Sequence, residues 1–411
     1  MTREPGRRVR SAVAWCAGWA LLAAACGGDD PDSSATATTG TGTTGTGTTD
    51  TGTTDTGTTD TGTTDTGTIE TGAIMTTEPA TGESVASTTM ESTQAPAVTA
   101  AATTTSPTTL APSPTPTPEL QPPTITELIE SGKVLNIAHA GGDQDSPHST
   151  MYAFAQAVLA GADMLEMDIR VTADGEIVVH HDADTTKTAN ATLVVADTDL
   201  TALQALDNAY WFSPECWPCR DLPDESYVFR GVRTGDAPPP DGFTPDHFRI
   251  ITLAELDEAF PAMPFDIEIK PEGAAGIAAA QVLADELDRL DRLDSTIVVS
   301  FDSSVVAAFH EAAPDVATSP GVDEMAAWLL AGTPLPDHHD VVQVPPMFDD
   351  IVVLSPEMLQ LAAESGVAVW VWPNDASTQE NQAFYESLVA MGVTGILAGR
   401  PAQASAAIAA G

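Results

Sequence analysis

From residue 133 to the end of the chain, short apolar runs alternate with stretches of helical spacing, and this alternation restricts the fold more than any other feature. The runs are "KVLNIAHA" (133–140), "DMLEMDI" (163–169), "EIVVHHD" (176–182), "MPFDIEIK" (263–270), "STIVVSFD" (295–302), "DVVQVPP" (340–346), "VAVWVWPND" (367–375) and "TGILAG" (394–399). Between most of them lie helix-like segments, such as "STMYAFAQAVLAGA" with Ser149 as its N-cap and Gly161 as its stop, and "AAGIAAAQVLADELDRL". Strands that read as near-continuous apolar runs are covered on both faces, which is the pattern of a parallel sheet wrapped by helices. The predicted fold class is therefore α/β, a (β/α)8 TIM barrel.

One junction departs from the rule. "MLEMDIRV" and "EIVVHHD" are separated only by Thr172-Ala173-Asp174-Gly175, a tight-turn sequence with no room for a helix. One barrel unit is thus irregular. Residues 190–250, rich in Pro, Gly and aromatics, read as an insertion beside the barrel mouth.

The barrel occupies 124–411, and the residues before it are of a different kind. Arg3, Arg7, Arg8 and Arg10 precede an uncharged apolar run from Ala12 to Ala25 that is short for a permanent membrane span. This is export-signal layout. "LAAAC" resembles the lipobox of bacterial lipoproteins, so residues 1–26 are expected to be a signal with lipidation at Cys26, and ordinary secretion is the alternative. Residues 27–122 repeat Thr, Gly and Asp and then turn to Pro. They hold too little apolar surface to offset ordering entropy and are expected to be a disordered tether. A flexible chain of about 95 residues has a root-mean-square span of roughly 50–60 Å, which suits a domain held off a membrane by a lipid anchor.

Asp and Glu number 59 against 15 Lys and Arg, for a formal charge of −44. That balance excludes nucleic acid as a partner, because nucleic-acid binding requires a basic footprint. It also means that an anionic substrate would need a locally positive site. Nothing in the residues fixes an oligomeric state. Outside the signal region only Cys216 and Cys219 remain, as "CWPC" among prolines. In an exported protein they read as a small structural disulfide, with free thiols or a metal or redox pair as alternatives.

The chemistry-bearing residues sit at strand ends. Side chains alternate along a strand, so Glu166 and Asp168 share one face, and Glu268 and Lys270 repeat the arrangement on another strand. Three carboxylates converging on a barrel mouth repel one another unless a hard divalent cation, Mg²⁺ or Ca²⁺, lies between them. His139 and His181 end two strands at the same rim, which suits a general acid and a general base. His180 faces the other way and is expected either to pack in the core or to support the site from behind.

With these residues in view, the globular part resembles the glycerophosphodiester phosphodiesterase family. The resemblance rests on His139-Ala140-Gly141, Pro147-His148-Ser149-Thr150, Glu166-Met167-Asp168-Ile169, Thr172-Ala173-Asp174-Gly175 and His181-Asp182, followed by "TLAEL", "EIK", "SFD", "VWPND" and "GVTGILAGRP". It implies a metal-dependent barrel that hydrolyses small glycerophosphodiesters to an alcohol and glycerol 3-phosphate. Glu166, Asp168 and Glu268 would hold the metal. His139 and His181 would form the acid–base pair, with Lys270, His148 and Trp372 contacting substrate. The sequence departs from the family pattern twice: the usual Arg after the first His is Ala140, and the usual Glu of the Pro-Glu-Asn-Thr motif is His148. If the changes are coupled, a protonated His148 faces the metal–phosphate region and substrate binding weakens as pH rises. The alternatives are a lipid hydrolase of the sphingomyelinase D or phospholipase D kind, and a binding lipoprotein that keeps the barrel without turnover.

Overall fold

The structure is a computed structural model that describes residues 121–411. The expected signal (1–26), Cys26 and all but the last two residues of the expected tether (27–122) lie outside the described residues.

Eleven strands are present among the described residues: β1 (Leu135–Ala138), β2 (Met164–Val171), β3 (Ile177–Val179), β4 (Phe265–Ile269), β5 (Thr296–Val299), β6 (Ala317–Thr318), β7 (Val341–Val344), β8 (Met347–Phe348), β9 (Ile351–Val352), β10 (Ala368–Val371) and β11 (Gly395–Ala398). Eight of them run parallel in the order β6-β5-β4-β2-β1-β11-β10-β7. A parallel bridge from Thr318 to His339 joins the two ends of that order. The result is the (β/α)8 barrel that the alternation predicted. The strand "EIVVHHD" is not a stave: β3 pairs antiparallel with β2, Ile169 opposite Val179, as the tight turn between them requires. The eighth stave is instead β6, two residues long, which carries no periodic signal of its own.

The helices follow the strands. They are α1 (Ile125–Glu130), α2 (Met151–Leu159), α3 (Leu200–Gln204), α4 (Leu253–Ala259), α5 (Gly273–Leu290), α6 (Ser303–Ala312), α7 (Val322–Ala326), α8 (Pro356–Ser365), α9 (Ala376–Gln379), α10 (Gln382–Met391) and α11 (Pro401–Ala410). The N-cap of α2 is Thr150, whose side chain accepts from the Ala153 N–H, and not Ser149, whose φ of 56° places it in the left-handed region. Helix α11 reads as undistinguished Ala and Ser, yet it packs against β1, where Asn136 Nδ2 donates to Pro401 O at 2.9 Å.

Alternation along the staves sorts the side chains into an outer and an inner core. Outward residues such as Leu165, Met167, Phe265, Ile267 and Val298 meet the helices. Inward residues Leu135, Ile137, Met164, Ile297, Val341, Trp370 and Leu397 fill the barrel with Ile125 of α1. Each such burial stabilises the fold by about 1.5–3 kcal/mol relative to exposure. Above this apolar layer the inward positions turn polar: Asp266 accepts two bonds from Gln343 Nε2, at 3.0 and 2.8 Å.

One buried cation outside the mouth supports the fold. Arg292 is 3% exposed and donates from Nε to Asp257 Oδ1 at 2.5 Å, and from its other nitrogens to Met263 O and Phe260 O. Arg292→Ala would leave the Asp257 carboxylate and the Met263 carbonyl without this donor, while the Phe260 carbonyl keeps the Met263 N–H. It is expected to destabilise the domain by about 3–5 kcal/mol in urea unfolding. A loss below about 1 kcal/mol would show the network to be dispensable.

Candidate active site

Strand register assembles the centre of the site. Asp168 on β2 lies opposite Glu268 on β4, and Glu166 opposite Asp266. Single oxygens of Glu166, Asp168 and Glu268 fall within 4.8 Å of one another. Lys270 Nζ stands 3.1 Å from Asp168 Oδ1 and 3.0 Å from Glu268 Oε2. One ammonium cannot neutralise three carboxylates, and Asp168 Oδ2 is buried without a hydrogen-bond donor. An orphaned carboxylate oxygen in an all-oxygen cluster is what a divalent cation would complete. The residues present fit such an ion.

The electrostatics divide these groups. Burial raises the Glu166 carboxyl, Asp168 and Asp266 add to the effect, and His139 and the Ala140 N–H only partly oppose it; the group stands well above the usual carboxylate range. Burial would also raise Asp168, but Lys270, with His181 and His139, holds it well below that range. Burial opposes the Lys270 charge, yet Asp168 and Glu268 hold the ammonium above its ordinary value. Asp266, buried beneath them beside Glu268, is pushed up to about 7 despite its bonds from Gln343.

The two rim histidines have the same construction. His139 follows β1, and its Nδ1 lies 3.4 Å from Asp143 Oδ1. His181 follows β3, and its Nδ1 lies 2.9 Å from Asp182 Oδ1. A carboxylate on Nδ1 fixes the ring and leaves Nε2 free for chemistry. Burial works against the His139 charge, but Glu166, Asp143 and Asp168 outweigh it and hold the imidazole well above its usual value. The hairpin carrying His181 is tied down by Arg170, whose Nε donates to the His181 carbonyl at 2.9 Å. His180 is fully buried, with Nε2 3.1 Å from Asp184 O, in the packing position, the first of the two expected of it.

On another side of the rim, Trp372 meets Phe301 edge-on at 5.8 Å, and Lys270 Nζ lies 5.8 Å from the same Phe301 ring. The departures take an unexpected form. Ala140 is buried with φ 46°, and its N–H donates to Glu166 Oε2 at 2.6 Å. His148 is buried too, with Nδ1 2.9 Å from Ser149 Oγ and its ring 5.0 Å from Trp217 of the insertion. Burial, with help from Lys187 and His180, pushes the His148 imidazole down to about 3, against Asp143 and Asp182. His148 is thus turned away from solvent, as expected, but packed beside Trp217, where burial disfavours the protonated form that the coupled replacement calls for. Trp217 sits between Cys216 and Cys219, which are joined by a disulfide.

Four site residues were not singled out from sequence. Asp266 and Arg170 each lie two positions from a chosen carboxylate on the same strand face, so the period-2 rule reaches them. Asp143 lies in an irregular loop, and no periodicity points to it. Glu380 follows α9 and reaches back to the rim: Tyr385 Oη and the Gly399 N–H, the latter at 3.1 Å, both donate to its Oε2. Burial, with Asp143 nearby, pushes Glu380 up to about 7.

That shift has a measurable consequence. Between its ordinary value of 4.5 and about 7, the folded state keeps a proton on Glu380 that the unfolded chain releases. Stability therefore falls as pH rises through this window. Glu380→Gln preserves an oxygen acceptor and removes the charge. It is expected to leave unfolding at pH 4 unchanged and to stabilise the protein at pH 8 by roughly 2–3 kcal/mol. Equal unfolding curves at pH 8 would contradict the assignment.

The fold and these groups define the class: a (β/α)8 barrel whose mouth gathers three carboxylates that could hold a divalent cation, with two histidines at its rim. Within that class, the chain belongs to the glycerophosphoryl diester phosphodiesterase family, whose sequence model matches residues 139–403, more than half of the chain. A glycerophosphodiester phosphodiesterase of Caldanaerobacter subterraneus subsp. tengcongensis is 40% identical over 75 residues, covering 18% of this chain and 31% of that protein. The lysophospholipase D GDPD1 of Rattus norvegicus is 31% identical over 137 residues, covering 33% of this chain and 36% of that protein. The chain thus spans about a third of the length of the curated relatives it matches. A solved Oleispira antarctica phosphodiesterase, in complex with the product sn-glycerol-3-phosphate, superposes with a TM-score of 0.51 at 17% identity, over 68% of this chain and 99% of the other. At that identity the likeness establishes the shared fold.

Proposed function

We propose that the chain is a metal-dependent phosphodiesterase that hydrolyses glycerophosphodiesters to an alcohol and glycerol 3-phosphate. The observation that carries this reading is the convergence of Glu166, Asp168 and Glu268, their oxygens within 4.8 Å of one another, at a rim that also presents His139 and His181. Family membership and the family names of its relatives support it.

In the reaction, the oxygen of water forms a bond to phosphorus while the bond from phosphorus to the alcohol oxygen breaks; if the substrate's neighbouring glycerol hydroxyl attacks instead, the alcohol leaves from a cyclic glycerol phosphate, which a water then opens to glycerol 3-phosphate. One of His139 and His181 accepts the attacking group's proton at Nε2, and the other donates a proton to the departing oxygen. Asp143 and Asp182, each on an Nδ1, hold the rings in register for these transfers. Lys270 balances part of the carboxylate charge, which lowers the repulsion met by an anionic phosphodiester. Glu166, Asp168 and Glu268 would hold Mg²⁺ or Ca²⁺, and the chemistry such an ion supplies when bound is neutralisation of phosphoryl charge and acidification of the attacking hydroxyl.

A second reading, hydrolysis of lysophospholipid head groups, is favoured by the match to rat lysophospholipase D GDPD1. Incubating the full chain with glycerophosphocholine and, separately, with lysophosphatidylcholine tests both. Choline release from the first at the higher kcat/KM supports the leading reading. Release only from lysophosphatidylcholine replaces it with the second. Binding of glycerophosphocholine without turnover of either substrate would mark a binding lipoprotein. We also propose that residues 1–26 direct export, that Cys26 is lipidated and that residues 27–122 tether the barrel to a membrane; this rests on composition alone. Metabolic labelling with a fatty acid, lost on Cys26→Ser, is the expected result.

A further inference from the structure

A continuous run of contacts leads from the segment after α9 to one rim histidine. Glu380 Oε2 accepts from Tyr385 Oη and from the Gly399 N–H at 3.1 Å, which fixes the backbone just past β11. The Gly399 carbonyl accepts from the Gln144 N–H at 3.0 Å. Gln144 Nε2 donates to Asp143 Oδ2 at 3.0 Å. Asp143 Oδ1 is buried, has no hydrogen-bond donor, and faces His139 Nδ1 at 3.4 Å. That separation is at the long end of hydrogen-bond reach.

Gly399 is the point where this run is tightest. A Cβ there would stand 2.4 Å from Asp143 Oδ1, 2.7 Å from Gln144 Cγ and 3.0 Å from Glu380 Cδ. The missing side chain is the space that the Asp143 carboxylate occupies. Any larger residue at this position would displace the carboxylate from the imidazole.

We propose that Asp143 is a positioning residue for His139, held on the imidazole by Gln144, Glu380 and the side-chain-free Gly399. This rests on reading His139 as one of the two acid–base groups. Asp143 keeps the proton-bearing Nδ1 turned inward, so that Nε2 points to the mouth. It acts through His139 and touches no reacting atom.

The test uses the full-length protein, glycerophosphocholine with Mg²⁺, and the variants Asp143→Asn, Asp143→Glu, Gly399→Ala and the double Asp143→Asn/Gly399→Ala. Removing the partner of a working imidazole is expected to lower kcat by about 10–100-fold. KM should stay within about twofold, because Asp143 does not bind substrate. Asp143→Glu should recover part of the loss. Gly399→Ala should reproduce the kcat effect. The double variant should be no slower than the slower single, because both changes break one contact. Losses that multiply, a loss confined to KM, or wild-type kcat in Asp143→Asn would overturn the proposal. A second measurement does not depend on turnover. The Nδ1 proton of His139 should give a resolved downfield NMR signal in the wild type that Gly399→Ala and Asp143→Asn abolish. That signal in an inactive wild type would refute the proposed function and leave the positioning role standing. Its absence from the wild type would refute the positioning role.

Discussion

Asp168→Asn is expected to lower kcat/KM by about a thousandfold or more, a loss of about 4 kcal/mol in transition-state stabilisation. Asp168 is the central member of the cluster. It lies opposite Glu268 in the β2–β4 register, pairs with Lys270 at 3.1 Å, and keeps Oδ2 without a donor. Asparagine keeps the shape but removes one of three negative charges and turns one oxygen into a donor that cannot ligate a cation. Calorimetric titration with Mg²⁺ or Ca²⁺ should show the parallel loss of binding. Stability in excess chelator supplies a second signature. Lys270 holds the Asp168 carboxylate below its usual range, so Asp168→Asn should destabilise the metal-free protein. Burial holds the Glu166 carboxyl above its range, so Glu166→Gln should stabilise it near neutral pH while also abolishing turnover. A kcat/KM within tenfold of wild type for Asp168→Asn would remove it from the site.

The second large effect concerns the histidines. His139→Ala and His181→Ala are each expected to reduce kcat by about 10²–10⁴-fold, the usual contribution of a positioned acid or base. The two should respond differently to the leaving group. With a p-nitrophenyl phosphodiester, whose leaving oxygen needs no proton, the variant lacking the general acid should regain most of its rate. The variant lacking the general base should remain slow. Rescue of both, or of neither, would contradict a division of labour between the two rings. The geometry makes the pair comparable, since each ring has its Nδ1 against an aspartate, Asp143 or Asp182.

Much of this was legible in the sequence because strands impose a rigid rule. Period-2 alternation places Glu166 and Asp168, and Glu268 and Lys270, on common faces without reference to anything distant. Alternation of strand and helix then leaves little choice but a closed parallel barrel. The tight turn at 172–175 marked the irregular unit, and β3 is indeed a hairpin partner of β2. What escaped was non-local or too short to have a period. Strand β6 has two residues, so its place in the barrel is set by its neighbours and not by its own pattern. Asp143 and Glu380 are 237 positions apart and meet only because β1 and β11 are adjacent. His148 was expected to carry charge if it replaces the positive charge that the family's Arg supplies where this chain has Ala140. Trp217, from the distant insertion, packs against its ring, and burial there disfavours the charged form. Charge state depends on burial, and burial is a property of the assembled fold.

Release of glycerol 3-phosphate from glycerophosphocholine by the full-length protein tests the central claim most directly, with Mg²⁺, with Ca²⁺ and with excess chelator. The account predicts one equivalent of choline for each glycerol 3-phosphate when a divalent cation is present, loss of both products in chelator, and recovery when the metal is restored. Full release in chelator, or no release with either metal, would contradict it.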